Sequence, residues 1–281
     1  MTPAEPSIRN VSDTAKWAAF FRAKESERKD ALFRDPFAAR LAGERGAEAA
    51  RRMSGGDWAW AARTYLFDDI IGRCIAEGAD TVVNLAAGMD ARPYRMALSG
   101  SLRWFEVDLP EILAEKERLL AGETPACHLE RVPLDLADVE ARRVLFARIG
   151  SQSLRAVILS EGLLLYLAPD QVAELARDLA TPPSFRDWIV DLASPGLLKM
   201  LQEKLVREAH AAAPMRFAPA EGPLFFEPYG WKPAEVYSLF RTAVQKRRIG
   251  FPMRLLALLP ESSGRQGKRP WGGVCRLTRR D

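Results

Sequence analysis

The stretch Thr81-Val82-Val83-Asn84-Leu85-Ala86-Ala87-Gly88-Met89-Asp90-Ala91-Arg92 constrains the fold of this chain more than any other. Its β-branched apolar run reads as a strand buried on both faces, as in a parallel sheet. The run breaks into small residues, which let backbone approach a ligand closely, and Asp108 follows twenty positions after Gly88. An acid at the end of the next strand accepts hydrogen bonds from ribose hydroxyls, so the layout is that of a nucleotide-binding loop. The glycine fingerprint G-x-G-x-x-G is degraded, because glycines are needed where this chain has Ala86 and Ala91.

The flanking sequence repeats the pattern. Leu102 to Asp108 is a second strand, and period-two geometry puts Glu106 and Asp108 on one side of it, where both carboxylates can face one ligand. Pro110 opens a helix over Glu111 to Leu120, proline being tolerated in a first turn. A third strand, His128 to Asp135, ends in Asp135-Leu136, and a fourth, Leu154 to Ser160, ends in Ser160-Glu161. Asp108, Asp135 and Glu161 thus stand at carboxyl ends of strands, the edge where open α/β sheets bind ligands. Phe185 to Ala193 gives a fifth strand and Trp271 to Thr278 a last one.

Upstream of Thr81 there is no strand signal. A first helix with Ser12 or Asp13 as cap carries Trp17, Phe20 and Phe21 on one face; a mixed-charge run, Lys24 to Asp30, reads as a solvated turn. Further helices follow Asp35-Pro36 and span Trp58 to Ile75, so this section reads as a helical cap over the ligand edge. A helix from Pro169 ends at Pro182-Pro183. After the fifth strand a helix runs through Ala213, and then Pro214, Pro219, Pro223 and Pro228 interleave with Phe217, Phe225, Phe226, Tyr229 and Trp231. Prolines at that density forbid a regular element. The result is an aromatic loop that suits a flat organic ligand or, equally, packs on the sheet. One domain in four parts follows: a helical cap over 1–78, a cofactor-binding core over 79–193, a substrate-side insertion over 194–232, and the C-terminal part of the core over 233–281.

Composition excludes other classes. With 281 residues, 48% of them hydrophobic, the chain can fill a large α/β core. Its 41 Lys and Arg against 37 Asp and Glu leave only +4, with the basic residues read as dispersed, so no nucleic-acid partner is expected. Cys74, Cys127 and Cys275 are far apart and form no C-x-x-C, which fits a reducing compartment. With no leader pattern and no apolar run of spanning length, a cytoplasmic location and no membrane partner are expected. The two histidines flank no nucleophile, G-x-S-x-G is absent, and neither H-E-x-x-H nor paired-cysteine spacing offers a metal site.

Several of these segments, taken in order, carry a resemblance. Arg22-Ala23-Lys24-Glu25-Ser26-Glu27, Leu32 to Leu41, Arg63-Thr64-Tyr65, Asn84 to Arg92, Phe105-Glu106-Val107-Asp108-Leu109-Pro110, Asp135-Leu136, Glu161 to Leu167 and Tyr229-Gly230-Trp231 are similar to the leucine carboxyl methyltransferase family. The match is to its bacterial branch of S-adenosylmethionine-dependent O-methyltransferases, often associated with polyketide-type metabolites. The resemblance covers nearly the whole chain and implies a Rossmann-like α/β fold with a mostly parallel sheet of about seven strands. It implies that Arg63 pairs with the methionine carboxylate of S-adenosylmethionine, that Ala86 to Gly88 lie against the cofactor, and that Asp108 holds the ribose. Asp135 and Leu136 would flank the adenine, and Glu161 would sit beside the methionine amino group or the ribose. Tyr166 is either an amphipathic core residue or lines the pocket beside the transferred methyl. The family usually has glycine at Ala86; a positive φ there would strain the loop.

The expected function is methyl transfer to a carboxyl or hydroxyl oxygen of a small-molecule acceptor. An NAD-dependent oxidoreductase would use the same strand-end acid, and a non-catalytic binding protein would keep the same fold. Oligomeric state is not legible.

Overall fold

Complete burial of β1 (Thr81–Leu85) and β4 (Ala156–Ser160) puts them at the centre of a sheet covered on both faces. The structure, a computed structural model, describes residues 11–52, 56–207, 214–258 and 269–280, with side chains of 11–13, 49–52 and 204–207 outside the description. With β2 (Arg103–Asp108), β3 (His128–Pro133), β5 (Phe185–Ala193), β6 (Trp231–Ser238) and β7 (Gly272–Arg279), the strand order is β3-β2-β1-β4-β5-β7-β6. The first five strands are parallel, and β7 runs antiparallel to β5 and β6. The order reverses between β1 and β4, which makes their carboxyl ends the switch point of the sheet.

Alternation along each strand builds two hydrophobic layers. Val83, Leu85, Phe105, Val107, Ile158, Trp188 and Val190 face one layer, and Val82, Trp104, Val157, Leu159 and Ile189 face the other. The first layer is closed by α6 (Val139–Gln152) and α7 (Pro169–Ala180), the second by α3 (Asp57–Ala76). Before β1, α1 (Val11–Ser26) and α2 (Ala38–Arg52) pack on one another; Ser12 and Asp13, read as caps, fall within α1. Glu25, assigned to a solvated turn, is buried at the end of α1, where Arg248 pairs with it at 2.6 Å.

The proline-rich stretch departs from the sequence reading. Gly222–Tyr229 forms a 3-10 helix with Pro223 in its first turn, where amides have no helical acceptor, and Pro228 inside. Phe217, Phe226 and Trp231 are fully buried and pack with Trp188, with Trp188–Phe226 ring centroids 5.1 Å apart. Trp231 donates its indole N–H to the Ala176 carbonyl at 3.0 Å. Packing on the sheet, rather than a free aromatic loop, is what these residues do. Trp231 also opens β6, an edge strand absent from the sequence reading; Pro233 is tolerated there at a register shift. The helix read through Ala213 is α8 (Pro195–Arg207), and the rest of that reading lies outside the described residues.

Candidate functional site

The turn after β1 is built on two left-handed residues, Ala86 at φ 52° and Gly88 at φ 47°. Ala86 is the position where the family usually has glycine, so the strain anticipated from sequence is present. A left-handed non-glycine residue costs about 1–2 kcal/mol, and glycine returns about 0.5–1 kcal/mol of that through its freer unfolded chain. Ala86→Gly is therefore expected to stabilise the protein by up to about 1 kcal/mol, read as a small rise in thermal midpoint; a fall would show that the alanine methyl packs usefully. At Gly88 space also matters, since an added Cβ would stand 3.0 Å from the Ala15 methyl of α1. The first helix therefore lies directly over this turn.

Asp108 closes the turn from the end of β2. One carboxylate oxygen accepts the Gly88 amide at 2.6 Å and the other the Leu109 amide at 2.7 Å. Burial pushes this carboxyl up, and the two amides only partly offset the rise. The Leu134 amide donates to the Asp108 carbonyl at 2.9 Å, which brings the loop after β3 alongside. In that loop Asp135 is exposed and accepts the Ala137 amide at 2.9 Å, while half-buried Leu136 packs against the first core layer. Glu106, read as facing the same ligand as Asp108, is instead fully buried behind the edge, 2.6 Å from the Lys116 ammonium of α5 (Pro110–Leu119) and 3.1 Å from Arg131.

Glu161, just past β4, is gripped from two sides. Arg63 of α3 stands 3.0 Å from one carboxylate oxygen, and Arg92, from the one-turn helix α4 (Arg92–Arg95), stands 2.9 Å from the other. Arg63 also pairs at 3.0 Å with Asp191 near the end of β5 and lies under the Trp60 ring at 4.5 Å. Asp191 accepts the Gly162 amide at 2.7 Å, so one side chain fixes both the turn beyond Glu161 and the guanidinium that faces it. Arg92 pairs further with Asp90 at 2.9 Å and Asp68 at 2.6 Å. Asp68 holds Arg95 at 2.7 Å, and Asp35 joins Arg95 at 3.6 Å to Arg22 at 2.9 Å. Neighbouring cations, Arg92 foremost, hold the Asp90 carboxyl far below the usual range against the opposing effect of burial. Despite their burial, Arg63 and Arg92 are held in the charged form by these carboxylates.

Four guanidiniums (Arg22, Arg63, Arg92, Arg95) are thus linked to five carboxylates (Asp35, Asp68, Asp90, Glu161, Asp191), one negative charge in excess. Beside Glu161 one buried N–H group, an Arg92 Nη, makes no hydrogen bond in this geometry, while Arg63 Nε is the atom 3.0 Å from the Glu161 carboxylate. Buried donors normally find acceptors. Tyr166 completes the cluster: it hydrogen-bonds Thr14 of α1, and burial raises its phenol above the ordinary value while Thr14 and Arg63 oppose the rise. The phenol is neutral near pH 7 and can donate a hydrogen bond, but it is not a ready base.

Of the residues singled out from sequence, the structure brings Arg63, Glu161 and Tyr166 together, and Ala86, Gly88 and Asp108 together, all at the carboxyl edge of the sheet. Asp135 and Leu136 flank that edge beyond β2. Sequence reasoning gave no role to Asp68, Asp90, Arg92 or Asp191. An acid inside the apolar run Trp188-Ile189-Val190-Asp191-Leu192-Ala193 was the available signal for the last. Among the described residues no cluster of three metal-ligating side chains occurs, and Cys74, Cys127 and Cys275 are free and buried. No helix among them is long and apolar enough to cross a membrane.

Comparison with known proteins bears on the family and the fold. Residues 15–180 match the model of the leucine carboxyl methyltransferase family. A Parafrankia protein whose name proposes an S-adenosyl-L-methionine-dependent methyltransferase is 34% identical over 254 residues, covering 81% of this chain and 79% of the relative. A Streptomyces coelicolor protein with the same proposed name is 34% identical over 257 residues, covering 86% and 89%. Among solved structures, a proposed methyltransferase from Thermobifida fusca superposes with a TM-score of 0.57 at 15% identity, covering 98% of this chain and 97% of that one. A Streptomyces avermitilis protein of the DUF574 family superposes with a TM-score of 0.56 at 15% identity, covering 92% and 96%. At that identity the two structures speak for the fold alone, whereas the family match and the two relatives speak for descent: the chain belongs to the leucine carboxyl methyltransferase family.

Proposed function

We propose that this methyltransferase transfers the methyl group of S-adenosylmethionine to a carboxyl or hydroxyl oxygen of a small-molecule acceptor. The methyl donor is the one in the names of its actinobacterial relatives. The observation that carries the reading is the ionic cluster around Glu161. It holds one net negative charge and, on Arg92, a buried guanidinium N–H without an acceptor, beside the Gly88–Asp108 turn. S-adenosylmethionine, with a sulfonium, an ammonium and a carboxylate, is a net monocation. Its carboxylate suits the guanidiniums of Arg63 and Arg92, and its positive charges suit the surplus acid.

In this reading Arg63 binds the methionine carboxylate, Glu161 the amino group or ribose, and Asp108 the ribose hydroxyls; Asp135 and Leu136 flank the adenine. The bound cofactor supplies an activated methyl group on a positively charged sulfur. The protein's work is then alignment and exclusion of water, and alignment alone is worth about 7–11 kcal/mol of barrier. Tyr166 orients by donating a hydrogen bond. A carboxylate acceptor needs no base, while a hydroxyl acceptor must lose its proton to another group. The family assignment removes the oxidoreductase alternative.

Calorimetric titration with S-adenosylmethionine tests the binding step, and absence of heat or thermal shift at millimolar ligand overturns the reading. Asp108→Ala is expected to weaken that binding by about 1.5–3 kcal/mol, the range for hydrogen bonds to a charged group. An unchanged dissociation constant would place the ribose elsewhere. Transfer of a labelled methyl across acids, phenols and alcohols identifies the acceptor, since methyl esters are cleaved by mild base and ethers are not.

A further inference from the structure

One stretch of the surface is out of keeping with the rest. Among the described residues ten large hydrophobic side chains are exposed, and five of them, Phe251, Met253, Leu255, Leu256 and Leu258, fall within eight positions. Soluble monomers seldom gather exposed apolar side chains so closely without a partner. The same stretch is basic. Between 239 and 258 there are five Arg or Lys (Arg241, Lys246, Arg247, Arg248, Arg254) and no Asp or Glu, whereas the entire chain carries only +4, so the remainder is slightly acidic. Arg248 is paired with Glu25 and Asp30, and the exposed Arg247 and Arg254 are the charges that flank the apolar strip.

Local geometry sorts the two properties into ridges. Met253–Leu258 is a 3-10 helix, in which residues three apart line up. Met253 with Leu256 and Leu255 with Leu258 form two apolar ridges, and Arg254 with Ala257 forms the third. Exposed Arg247 precedes the helix. The segment springs from a fixed base. Ile249 is buried against Ala62 and Ala243, and Arg248 is held by Glu25 at 2.6 Å and Asp30 at 3.1 Å. Ala62 adjoins Arg63, so the base of the strip is one residue from the candidate cofactor site.

We propose that Phe251–Leu258 attaches this protein to the surface of an anionic lipid bilayer. Exposed apolar ridges enter the headgroup boundary while arginines meet anionic headgroups, and the two signals together give an attachment neither gives alone. A second protein copy would bury the apolar ridges equally well, but a two-fold contact centred on this strip would offer Arg247 and Arg254 no Asp or Glu of the strip to pair with. Expecting no membrane partner rested on the lack of a spanning segment, a criterion that does not bear on surface attachment. The inference does not depend on which acceptor is methylated.

Co-sedimentation of the full chain with vesicles tests it. Binding is expected to phosphatidylcholine vesicles that contain phosphatidylglycerol, weaker binding to phosphatidylcholine alone, and release by high salt. L255E/L256E is expected to lower partitioning about tenfold or more on both vesicle types, and R247E/R254E to do so on the anionic ones only. Binding of S-adenosylmethionine should be unchanged in both variants, because none of these four side chains belongs to the site; this separates failure here from failure of the cofactor assignment. No association with anionic vesicles, or association unaffected by either variant, overturns the proposal. So does self-association without vesicles that L255E/L256E abolishes, which would assign the strip to a second copy.

Discussion

Glu106→Leu is expected to cost about 3–5 kcal/mol of folding stability, the range for breaking a buried ion pair from one side. Glu106 and the Lys116 ammonium 2.6 Å away are both fully buried, and removal of the carboxylate leaves the ammonium buried without its ion-pair partner. Arg131, the other partner at 3.1 Å, is 17% exposed and also donates to the Tyr94 hydroxyl, so it can turn toward water at small cost. The penalty therefore belongs to the Lys116 pair. Burial pushes the Glu106 carboxyl up even with two cations beside it. Glu106→Leu combined with Lys116→Met should consequently regain most of the loss, since buried pairs replaced by apolar residues of similar volume are often neutral. Urea unfolding of the three variants checks this. A double variant as unstable as the single one would mean that the pair contributes net attraction.

The same residue shows where sequence could lead and where it could not. Strand periodicity correctly placed Glu106 and Asp108 on one side of β2, but it carries no depth, and two residues along a strand separate the ligand edge from the interior. Central strands were legible because burial on both faces leaves nearly unbroken apolar runs; β5 was read with its observed limits, Phe185 to Ala193. The edge strand β6 alternates exposed and half-buried residues around Pro233, and nothing in that composition outweighs the proline-rich stretch before it. The aromatic residues of that stretch gave a pattern common to ligand pockets and cores, and only tertiary packing on Trp188 separates the two. In the site, Asp108, Glu161 and the small-residue turn were legible because strand ends announce them. Arg22, Asp35, Asp90 and Arg92 stood in the recognisable segments without any readable role, because their function is to neutralise one another across helices far apart in the chain.

Arg92 is where that mutual neutralisation is most exposed to test. Its guanidinium, 3% exposed, reaches Asp68, Asp90 and Glu161 from a single stem. Asp68 also has Arg95, and Glu161 also has Arg63, but Asp90 keeps only neutral donors, the Asn84 amide at 2.9 Å and the backbone amide of residue 92 at 3.0 Å, among its hydrogen bonds. Arg92→Met keeps an apolar stem against Phe67 and is expected to cost about 3–5 kcal/mol at neutral pH. Arg92→Lys, which restores charge without the fork, should recover part of it. The sign of the pH dependence follows from Asp90. Its folded pKa lies far below the unfolded value of about 3.9, so its stabilisation is complete above that value and is lost as pH falls toward the folded pKa. Without Arg92 the folded pKa rises and that contribution shrinks. The stability gap between parent and Arg92→Met should therefore be widest at neutral pH and narrow below about pH 4, as the unpaired carboxylates protonate. Cofactor binding supplies the second readout. Glu161 held by Arg63 alone is free to swing, so S-adenosylmethionine affinity should fall in Arg92→Met even at temperatures where the variant is fully folded. A variant with parental affinity, or a stability gap that stays constant down the acid limb, would show that Arg92 neither positions Glu161 nor carries the charge of Asp90.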